Sequence, residues 1–287
     1  MDVSIILVNY NTKQLAKECI QSIYEKTHDL SFEIIMIDNN SSDGSVEAIK
    51  QSFPDVIIIA NPKNSGFGSA NNLGIKISKG KYVLLLNTDT ILINNAIKEL
   101  FDFIEKNEEC AVVGGNLFDK DMKEVHSYGF LDNPKDNLLK IIGLKCLLKN
   151  KKNDSNRIVE QEVEQVIGAD MLIRKKVLDQ VGLFDERFFL YREESELQHR
   201  IRQAGYKIFY TPEAKIYHLE GASTKKNKKF RRQTIAQSEF LYFSLCYPSV
   251  PLIALRILCT LPQLYRLFSA PTYTLKALKY IWTTSPM

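Results

Sequence analysis

The sequence predicts an α/β fold: a Rossmann-like, mostly parallel sheet flanked by helices, with a C-terminal helical tail. Short apolar runs alternate with stretches in which apolar residues recur every three or four positions, which is the pattern of strands alternating with helices. The run from Tyr82 to Leu86 has no polar alternation, as in a strand buried on both faces. Several runs end in Asn or Asp, and open α/β sheets bind ligands beyond the carboxyl ends of their strands.

The first half of the chain is predicted to contain strands and helices in strict alternation. Leu15, Cys19 and Ile23 recur at four-residue spacing and predict the first helix. Clusters of turn-forming residues separate the later elements, at 39–45 and 61–68. The predicted strands cover 3–8, 32–37, 56–60 and 82–86, and the predicted helices cover 13–26, 45–53, 69–78 and 94–107.

The second half resumes the core after a lysine-rich segment. Residues 119–161 show weak periodicity, and we expect a variable surface excursion that is partly mobile and includes the polar tract at 150–156. A helix over 194–204 places Leu197 and Ile201 on one face and stops at Gly205. The remaining core is predicted at 111–115, 166–174, 175–181 (a short helix), 207–210 and 215–218.

Composition bounds the class of protein. The chain has 287 residues, of which 45% are hydrophobic and 25% charged, as is ordinary for a globular protein. The five cysteines are scattered, without a CxxC pair or a Cys/His cluster. We therefore expect reduced thiols in a cytoplasmic protein and no zinc site. Strand-like residues begin at Val3, so we expect no signal peptide.

The charge is unevenly distributed. Residues 225–287 hold ten lysines and arginines against one acidic residue, a balance of +9, which leaves −5 for residues 1–224 of the total of +4. We predict an α/β domain over 1–224 and a basic, partly apolar helical tail over 225–287. The cationic run at 225–232 is either a contact for something anionic or a solvated linker.

The tail also contains apolar segments. Residues 240–261 are apolar but interrupted by Pro248, Pro251 and Arg256, so a membrane-spanning helix is not expected. Arginines among Leu, Ile and Tyr over 252–268 are typical of a helix that lies in a membrane interface. The alternative is a set of helices that pack on the α/β domain or on a second subunit, as in a homodimer.

Asp89 is the first candidate for chemistry. It follows the buried strand after Asn87 and Thr88, and its carboxylate suits Mg²⁺ or Mn²⁺ bound to phosphates. The alternative is that Asp89 only begins the turn before the next helix. His218 ends the last predicted strand, where a lone histidine is more often structural than a ligand.

A cluster of acids between residues 185 and 196 is the second candidate. We call it the acid cluster; its members are Asp185, Glu186, Glu193, Glu194 and Glu196, interleaved with aromatic residues. The aromatic residues should bury and fix the backbone, so these acids are predicted to line a cleft in which one can serve as a general base. Alternatively, acids in the first turn of a helix only stabilise its dipole.

Six stretches, in order and over about residues 3–220, give the chain a resemblance to a known family. They are VSIILVNYN, IDNNSSDGS, NPKNSGFGSANNLGI, GKYVLLLNTDT, IGADMLIRKKVLDQVGLFDERFFLYREESELQHRIRQAGY and PEAKIYH. Together they resemble the inverting family 2 glycosyltransferases of the GT-A fold, most nearly the rhamnosyltransferase-like branch that acts on bacterial surface polysaccharides.

The resemblance implies roles for individual residues around a donor, a dTDP- or UDP-linked sugar. Asp89 matches the last acid of the family's DXD-type motif and would bind Mg²⁺ or Mn²⁺ on the diphosphate, while His218 can approach the same metal. Asn87 and Thr88 occupy the preceding motif positions. The remaining nucleotide-sugar-binding positions implied are Val8, Asn9, Tyr10, Asp38, Asn64, Gly66 and Asn71.

The resemblance also implies the catalytic base. Glu194 matches the base, which is usually the Asp of a Glu-Asp pair, and the departure to Glu-Glu adds one methylene. Glu193 would support it, and Asp185 would shape the acceptor pocket. The implied reaction is a single inverting displacement on the donor by a hydroxyl of a saccharide acceptor. A lipid-linked acceptor, with the enzyme at the inner face of the plasma membrane, would explain the basic tail; no nucleic-acid partner is expected.

Two other classes remain as alternatives. A sugar nucleotidyltransferase would carry a Gly-rich loop with Arg and Lys after its first strand, but here that turn is NYNT, with neither Gly nor Lys before Lys13. A non-catalytic scaffold that binds sugar nucleotides is also compatible with Glu in place of Asp at the base, and it would bind the donor without hydrolysing it. The sequence leaves the sugar, the acceptor and the linkage open.

Overall fold

The computed structural model describes residues 1–144, 159–219, 228–264 and 271–285, and a nine-stranded sheet organises these segments. The strands, including a separate two-stranded pair formed by the seventh and ninth, are β1 (Val3–Asn9), β2 (Phe32–Asp38), β3 (Ile57–Ala60), β4 (Tyr82–Asn87), β5 (Thr90–Leu92), β6 (Cys110–Phe118), β7 (Tyr128–Gly129), β8 (Gln161–Val163), β9 (Gln165–Val166), β10 (Asp170–Arg174) and β11 (Lys207–His218).

Helices cover the sheet and form the C-terminal part of the chain. They are α1 (Lys13–Lys26), α2 (Ser45–Ser52), α3 (Phe67–Ile77), α4 (Ala96–Lys106), α5 (Pro134–Ile141), α6 (Lys175–Val181), α7 (Glu193–Gln203), α8 (Lys228–Cys246), α9 (Leu252–Leu264) and α10 (Pro271–Thr283).

The sheet is mixed but mostly parallel, which confirms the predicted fold class. Its strand order is β3-β2-β1-β4-β10-β6-β11-β5, with β8 beside β11. Strand β10 runs antiparallel to both β4 and β6, and β5 and β8 run antiparallel to β11. The other strands point the same way. The carboxyl ends of β1, β2, β4 and β11 therefore meet the amino ends of β5 and β10 along one edge.

Two apolar layers enclose the sheet because successive strand residues point to opposite faces. On one face, Leu84 packs in a cluster with residues of α1 and α4, such as Ile20 and Leu100. On the other, Leu85 packs in a cluster with α3 and α7, through Ala70 and Leu197. The run Tyr82–Leu86 is buried throughout, as its lack of polar alternation predicts.

Several elements differ from the prediction. Strand β5 was not predicted, because its three residues are too few for a periodic signal. Helix α3 begins at Phe67 rather than 69, since Gly66 and not Gly68 ends the loop. The two predicted strands at 207–218 form one strand whose pairing shifts between Tyr210 and Lys215. The predicted excursion contains β7, α5 and β8, while its tract at 150–156 lies outside the described residues.

The tail folds into three helices that pack together. Helix α8 begins at Lys228, inside the cationic run, and ends before Pro248, while α9 starts directly after Pro251, as expected because proline lacks the amide that a helix interior needs. Their shared core also includes Phe188, from the segment 185–196 that contains the acid cluster. Within the described ranges, none of the helices combines the length and apolarity needed to cross a bilayer.

Candidate functional site

The carboxyl ends of β1 and β2 carry what we call the N-terminal polar network: Asn9, Asp38, Asn39, Ser41 and Asn64. Asn9 Nδ2 donates to Asp38 Oδ1 at 2.8 Å and to Ser41 Oγ at 3.1 Å. The Ser41 backbone N–H donates to Asp38 Oδ2 at 2.9 Å. Both carboxylate oxygens of the buried Asp38 therefore hold the loop in shape.

The residues that flank Asn9 are more accessible. Val8 is half-buried in β1, and Tyr10 is exposed over 40% of its surface. Asn9 itself is fully buried and accepts a bond from Thr12 Oγ1 at 2.7 Å. Of the three predicted positions on this turn, Tyr10 is the side chain presented to solvent.

Asn39 ties the second loop of the edge to the first. Its Nδ2 donates to Asn64 Oδ1 at 2.9 Å and to the Gly66 carbonyl at 3.2 Å. Its Oδ1 accepts from Asn61 Nδ2 at 3.1 Å and from the Ser65 backbone N–H at 3.0 Å. Sequence reasoning did not single out Asn39, because one asparagine in a polar turn gives no periodic signal.

Gly66 brings this loop against Phe189, in the segment 185–196 that contains the acid cluster. Its φ of +88° lies in the left-handed region, and a Cβ at this position would lie 2.2 Å from the Phe189 carbonyl oxygen. The same oxygen accepts the Phe67 N–H at 3.0 Å. Only glycine fits here. The predicted Asn71 is buried one turn into α3 and donates to the Phe67 carbonyl at 3.1 Å.

Asp89 and His218 meet at the same edge. Strand β5 pairs antiparallel with β11, with Thr90 opposite His218, and the Leu219 N–H donates to the Asp89 carbonyl at 2.9 Å. His218 Nε2 lies 3.5 Å from Asp89 Oδ1, with the two side chains 11% and 14% exposed. Residues that are far apart in sequence thus form one polar pair.

The pair has the chemistry of a partial metal site. His218 Nδ1 is buried and has no hydrogen-bond partner among the described residues, and carboxylate and imidazole are ligands for Mn²⁺ or Mg²⁺. The described ranges contain no group of three or more His, Cys, Asp or Glu side chains able to hold a metal. A divalent cation here would need oxygens from a diphosphate, as such cations commonly do. The two residues fit that role.

Asn87 and Thr88 contact neighbouring elements and stabilise this edge of the sheet. The Asn87 N–H donates to the Ala169 carbonyl at 3.0 Å, which joins the end of β4 to the start of β10. The hydroxyls of Thr88 and Thr12 lie 3.1 Å apart. Both residues of the motif before Asp89 are therefore anchored to neighbouring elements.

Glu193 and Glu194 begin α7 and point to different surroundings. A Cβ built on Gly68 would lie 3.5 Å from Glu193 Cβ, so Glu193 points toward α3 and is 2% exposed. A Cβ built on Gly168 would lie 3.6 Å from Glu194 Cβ and Cγ. Gly168 directly precedes the Ala169 carbonyl that binds Asn87. Glu194 is therefore the member of the pair that approaches the edge carrying Asp89.

Burial changes the acidity of both groups. Burial raises the pKa of Glu194 above its ordinary value of 4.5, against the opposing effects of its own backbone N–H and the Arg192 charge. Burial, and then the charge of Glu194, raise the pKa of Glu193 well above the same value. Glu193 Oε2 has no hydrogen-bond partner in the described part of the chain. These are carboxylates that bind protons readily, as a general base must.

The backbone before these acids is strained. Tyr191 and Arg192 both have φ of 71°, which is costly for residues with a Cβ. Arg192 Nη2 lies 2.6 Å from Asp132 Oδ2, and its guanidinium lies 5.7 Å from the centroid of the Tyr242 ring in α8. Ser238 Oγ, also in α8, donates to the Leu190 carbonyl at 2.8 Å. The tail thus holds the turn that positions Glu194.

The other members of the acid cluster are ion-paired. Burial raises the pKa of Asp185, but hydrogen bonds from Arg187 outweigh it and leave that pKa below its ordinary value. Glu196 pairs with Arg200 at 2.6 Å. Asp185 and Glu196 line a cleft of about 470 Å³ between α7 and the end of α8. The structure therefore places the predicted acceptor residue beside that cleft.

A further acid at the edge was missed by sequence reasoning. Asp170, the first residue of β10, is fully buried, and its Oδ2 accepts the Gly115 N–H at 2.6 Å. Burial raises its pKa well above the ordinary value. An aspartate inside an apolar strand is the available signal, since an acid rarely occupies a core strand without a partner.

Sequence similarity to known proteins extends over most of the α/β domain. The sequence profile described as Glycosyl transferase family 2 matches residues 4–182. The low-salt glycan biosynthesis hexosyltransferase Agl10 of Haloferax volcanii is 28% identical over 213 residues, which cover 72% of this chain and 64% of that protein. The N-acetylglucosaminyl-diphospho-decaprenol L-rhamnosyltransferase of Mycobacterium tuberculosis is 25% identical over 232 residues, 74% of each chain. This chain therefore spans less than two thirds of the length of the Haloferax relative.

A solved structure shares the fold. The mannosyltransferase PcManGT from Pyrobaculum calidifontis, in complex with GDP-Man and Mn²⁺, superposes with a TM-score of 0.58 at 14% identity. The match covers 99% of this chain and 88% of that one. At this identity the likeness establishes the architecture alone.

Proposed function

The chain belongs to glycosyl transferase family 2, and from that premise we propose that it transfers a sugar from a nucleoside-diphosphate donor to a hydroxyl of a saccharide acceptor. One observation carries the proposal. Glu194 packs against Gly168, and the carbonyl of the next residue, Ala169, accepts the Asn87 N–H, two residues before Asp89. A base and a site for a diphosphate are the two parts that such a transfer needs.

The donor would lie across the carboxyl ends of β1, β2 and β4. The N-terminal polar network fixes the two loops there, and the exposed Tyr10 ring is available to contact a nucleobase. Asp89 and His218 would hold a divalent cation, Mg²⁺ or Mn²⁺, which neutralises the charge that develops on the departing diphosphate. The preformed hydrogen bonds of the loops would position the donor before reaction.

Glu194 is the proposed base. Its carboxylate would accept the proton of the acceptor hydroxyl as that oxygen attacks the anomeric carbon. The carbon–oxygen bond to the acceptor forms while the bond to the diphosphate breaks, so one displacement inverts the anomeric centre. Glu193, buried beside it and turned toward α3, would position α7 without touching the acceptor.

The same proposal extends to the donor, the sugar and the acceptor. A dTDP- or UDP-linked donor, with rhamnose as the favoured sugar, and a lipid-linked saccharide acceptor would place the enzyme in the synthesis of a bacterial surface polysaccharide. The rhamnosyltransferase among the relatives and the basic tail support this choice. The distribution of charge divides the chain into a proposed catalytic domain over 1–224 and a tail over 225–287. Helix α8 of the tail would help to position the proposed base.

The test is a two-step assay on the full chain. A thermal-shift panel of nucleoside diphosphates and sugar nucleotides with Mn²⁺ should identify the donor, because a bound ligand raises the unfolding temperature. Transfer from that donor is then followed, and the anomeric configuration of the product is read by NMR. Retention would refute the inverting mechanism. Donor binding without transfer or hydrolysis would favour a non-catalytic scaffold.

A further inference from the structure

Helix α9 presents an unusual outer surface. Ile253, Ile257, Leu261 and Leu264 are each between 41% and 53% exposed. At 100° per residue they fall within about 80° of one another around the helix axis. Leu255, Leu258 and Cys259, on the other side, are buried in the tail's core. The helix is thus apolar on both its inner and its outer side.

Helix α10 continues this surface. Leu275 and Trp282 are 57% and 43% exposed. Trp282 Nε1 donates to Thr260 Oγ1 at 3.0 Å, and the Arg256 guanidinium lies 5.9 Å from the centroid of a Trp282 ring. These contacts place the indole against α9 at the margin of its outer stripe. We call the joined surface the apolar ridge; its members are Ile253, Ile257, Leu261, Leu264, Leu275 and Trp282.

The side-chain charges on the two helices that carry the apolar ridge have one sign. Residues 240–287 contain no Asp or Glu. Lys276 and Lys279 are exposed on α10, and at helical spacing Lys279 shares a face with Leu275 and Trp282. Arg256 lies against Trp282. On α9 and α10 themselves, exposed apolar side chains are therefore mixed with cations and with no carboxylate side chain.

We propose that the apolar ridge docks in the headgroup region of an anionic phospholipid bilayer, with α9 and α10 lying in the plane of the membrane. A contiguous exposed apolar patch marks an interaction site, and helices with apolar residues and flanking cations bind at membrane interfaces. Tryptophan favours the same depth. The cations attract anionic lipids.

Charge argues against a second copy of the chain as the occupant. A two-fold contact through the apolar ridge would set the same surface against itself. Lys276, Lys279 and Arg256 of each copy would then face like charges, with no acid from 240–287 to pair with them. Juxtaposed like charges oppose association, whereas an anionic surface neutralises them.

The inference rests on the proposed function only for its purpose, since a lipid-linked acceptor must be reached at a membrane. Docking itself does not depend on which sugar is transferred. Vesicle binding is therefore measured separately from donor binding: loss of one leaves the other intact, so failure of this inference and failure of the proposed function are distinguishable.

The single tryptophan of the chain reports on the surface directly. The full chain is titrated with vesicles of phosphatidylcholine alone and of phosphatidylcholine with phosphatidylglycerol, and Trp282 emission is recorded. We expect a blue shift, and protection from acrylamide quenching, with the anionic vesicles. Added salt should reduce binding because it screens the surface potential.

Variants test whether the apolar ridge is responsible. Ile257→Gln combined with Leu261→Gln should weaken partition into anionic vesicles by at least about tenfold, because two apolar side chains no longer enter the interface. Leu275→Gln should weaken it in the same direction from the other helix. The matched controls are Ile77→Gln and Met122→Gln, at positions 42% and 50% exposed on the α/β domain. Circular dichroism checks that each variant is folded.

Three results would overturn the inference. The first is no binding of the full chain to anionic vesicles. The second is binding without a change in Trp282 emission, which would assign the contact to another surface. The third is a lipid-free dimer, detected by sedimentation, that the Ile257/Leu261 double variant dissociates, since the apolar ridge would then be a contact between copies.

Discussion

The N-terminal polar network and the acid cluster approach the same edge of the sheet, yet their hydrogen bonding differs. Asp38 is buried with both oxygens bonded, and Asn39 uses its amide in both directions. Glu193 is equally buried, but its Oε2 has no partner among the described residues, and burial raises its pKa. The N-terminal polar network is thus a fully hydrogen-bonded frame, whereas the Glu193–Glu194 pair of the acid cluster keeps carboxylates where their charge is unfavourable.

The difference indicates how the two regions respond to change. In the frame, each polar group is hydrogen-bonded to another, so a substitution leaves its partners unpaired and lowers the free energy of unfolding. At Glu193 and Glu194 the buried charge itself is unfavourable, so removing it should raise the free energy of unfolding even where it removes a carboxylate that the reaction would use. Substitutions in the frame and at this pair should therefore change the free energy of unfolding in opposite directions, and experiments below test this.

The largest effect should come from Asp89, which lies between the two regions. We predict that Asp89→Ala abolishes transfer and leaves the unfolding temperature nearly unchanged, because in the proposed mechanism this carboxylate would bind the metal of the diphosphate. The measurement is transfer with and without Mn²⁺. Asp55→Ala, at an exposed site before β3, is the control. Full activity of Asp89→Ala in EDTA would exclude a metal role for this residue.

Glu194→Gln should have the second-largest effect on turnover. The amide keeps the size of the side chain but cannot accept a proton, so turnover should fall by roughly 10²–10⁴-fold, the usual contribution of a general base. The KM for the donor should change little. Glu193→Gln should cost markedly less, and Glu186→Gln, at an ion-paired surface site, should cost nothing. If Glu193→Gln were the slower variant, Glu193 would be the base.

The pH dependence of the reaction should report the same group. A base works only when deprotonated, and burial raises the pKa of Glu194 above 4.5. We therefore expect kcat/KM to fall as the pH is lowered through a midpoint above 4.5, by about tenfold per pH unit on the acid limb. Circular dichroism at each pH controls for unfolding. A midpoint at or below 4.5 would contradict the role of burial.

Asn39→Ala should destabilise the frame. The substitution removes bonds to Asn64, Gly66, Asn61 and Ser65 in a buried loop. Groups left unpaired there should lower the free energy of unfolding by about 1–3 kcal/mol, measured by urea denaturation. Lys63→Ala, exposed in the same loop, is the control. An unchanged midpoint would mean that water replaces the lost bonds fully.

Glu193→Gln should raise the free energy of unfolding, opposite to the effect of Asn39→Ala. A carboxyl whose pKa is raised on folding favours the folded state below its unfolded pKa, and this contribution is lost as the pH rises through the folded pKa. The variant does not undergo that loss, so at neutral pH it should be more stable, by about 1.4 kcal/mol for each pH unit over which the folded carboxyl keeps its proton and the unfolded one has lost it. Below pH 4.5 the difference should vanish. Glu47→Gln on α2 is the exposed control; a destabilised Glu193→Gln would refute the comparison.

The strands and helices of the α/β domain could be predicted because they depend on local periodicity. The apolar run Tyr82–Leu86 and the spacing of Leu15, Cys19 and Ile23 suffice for β4 and α1. The antiparallel insertion of β10 between β4 and β6 could not be predicted, since it depends on contacts between distant segments. The same holds for α8, whose charged first turn gives no apolar signal.

The candidate site was predicted in part for the same reason. Asp38, Asp89 and His218 lie at the ends of apolar runs, and this position can be recognised from the sequence alone. The contact of Asp89 with His218 requires β5, which is too short to detect. The orientation of Glu193 toward α3 and of Glu194 toward Gly168 depends on the left-handed turn at Tyr191 and Arg192. Neither residue is a glycine or asparagine, so their identity does not predict a left-handed turn.

The packing of Phe188 among the tail helices has a consequence for recombining this protein with its relatives. The family profile ends at residue 182, six positions before Phe188, which is fully buried in the core shared by α8, α9 and α10. A crossover placed at 182 would transfer the proposed base, Glu194, and the tail together as one piece. A crossover placed at 224 would leave Phe188, Leu190 and Arg192 to meet a foreign helix that lacks Ser238 and Tyr242. We expect that the donor specificity of such chimeras can be exchanged on the N-terminal side, while α7, which carries the proposed base, has to be kept with its own tail.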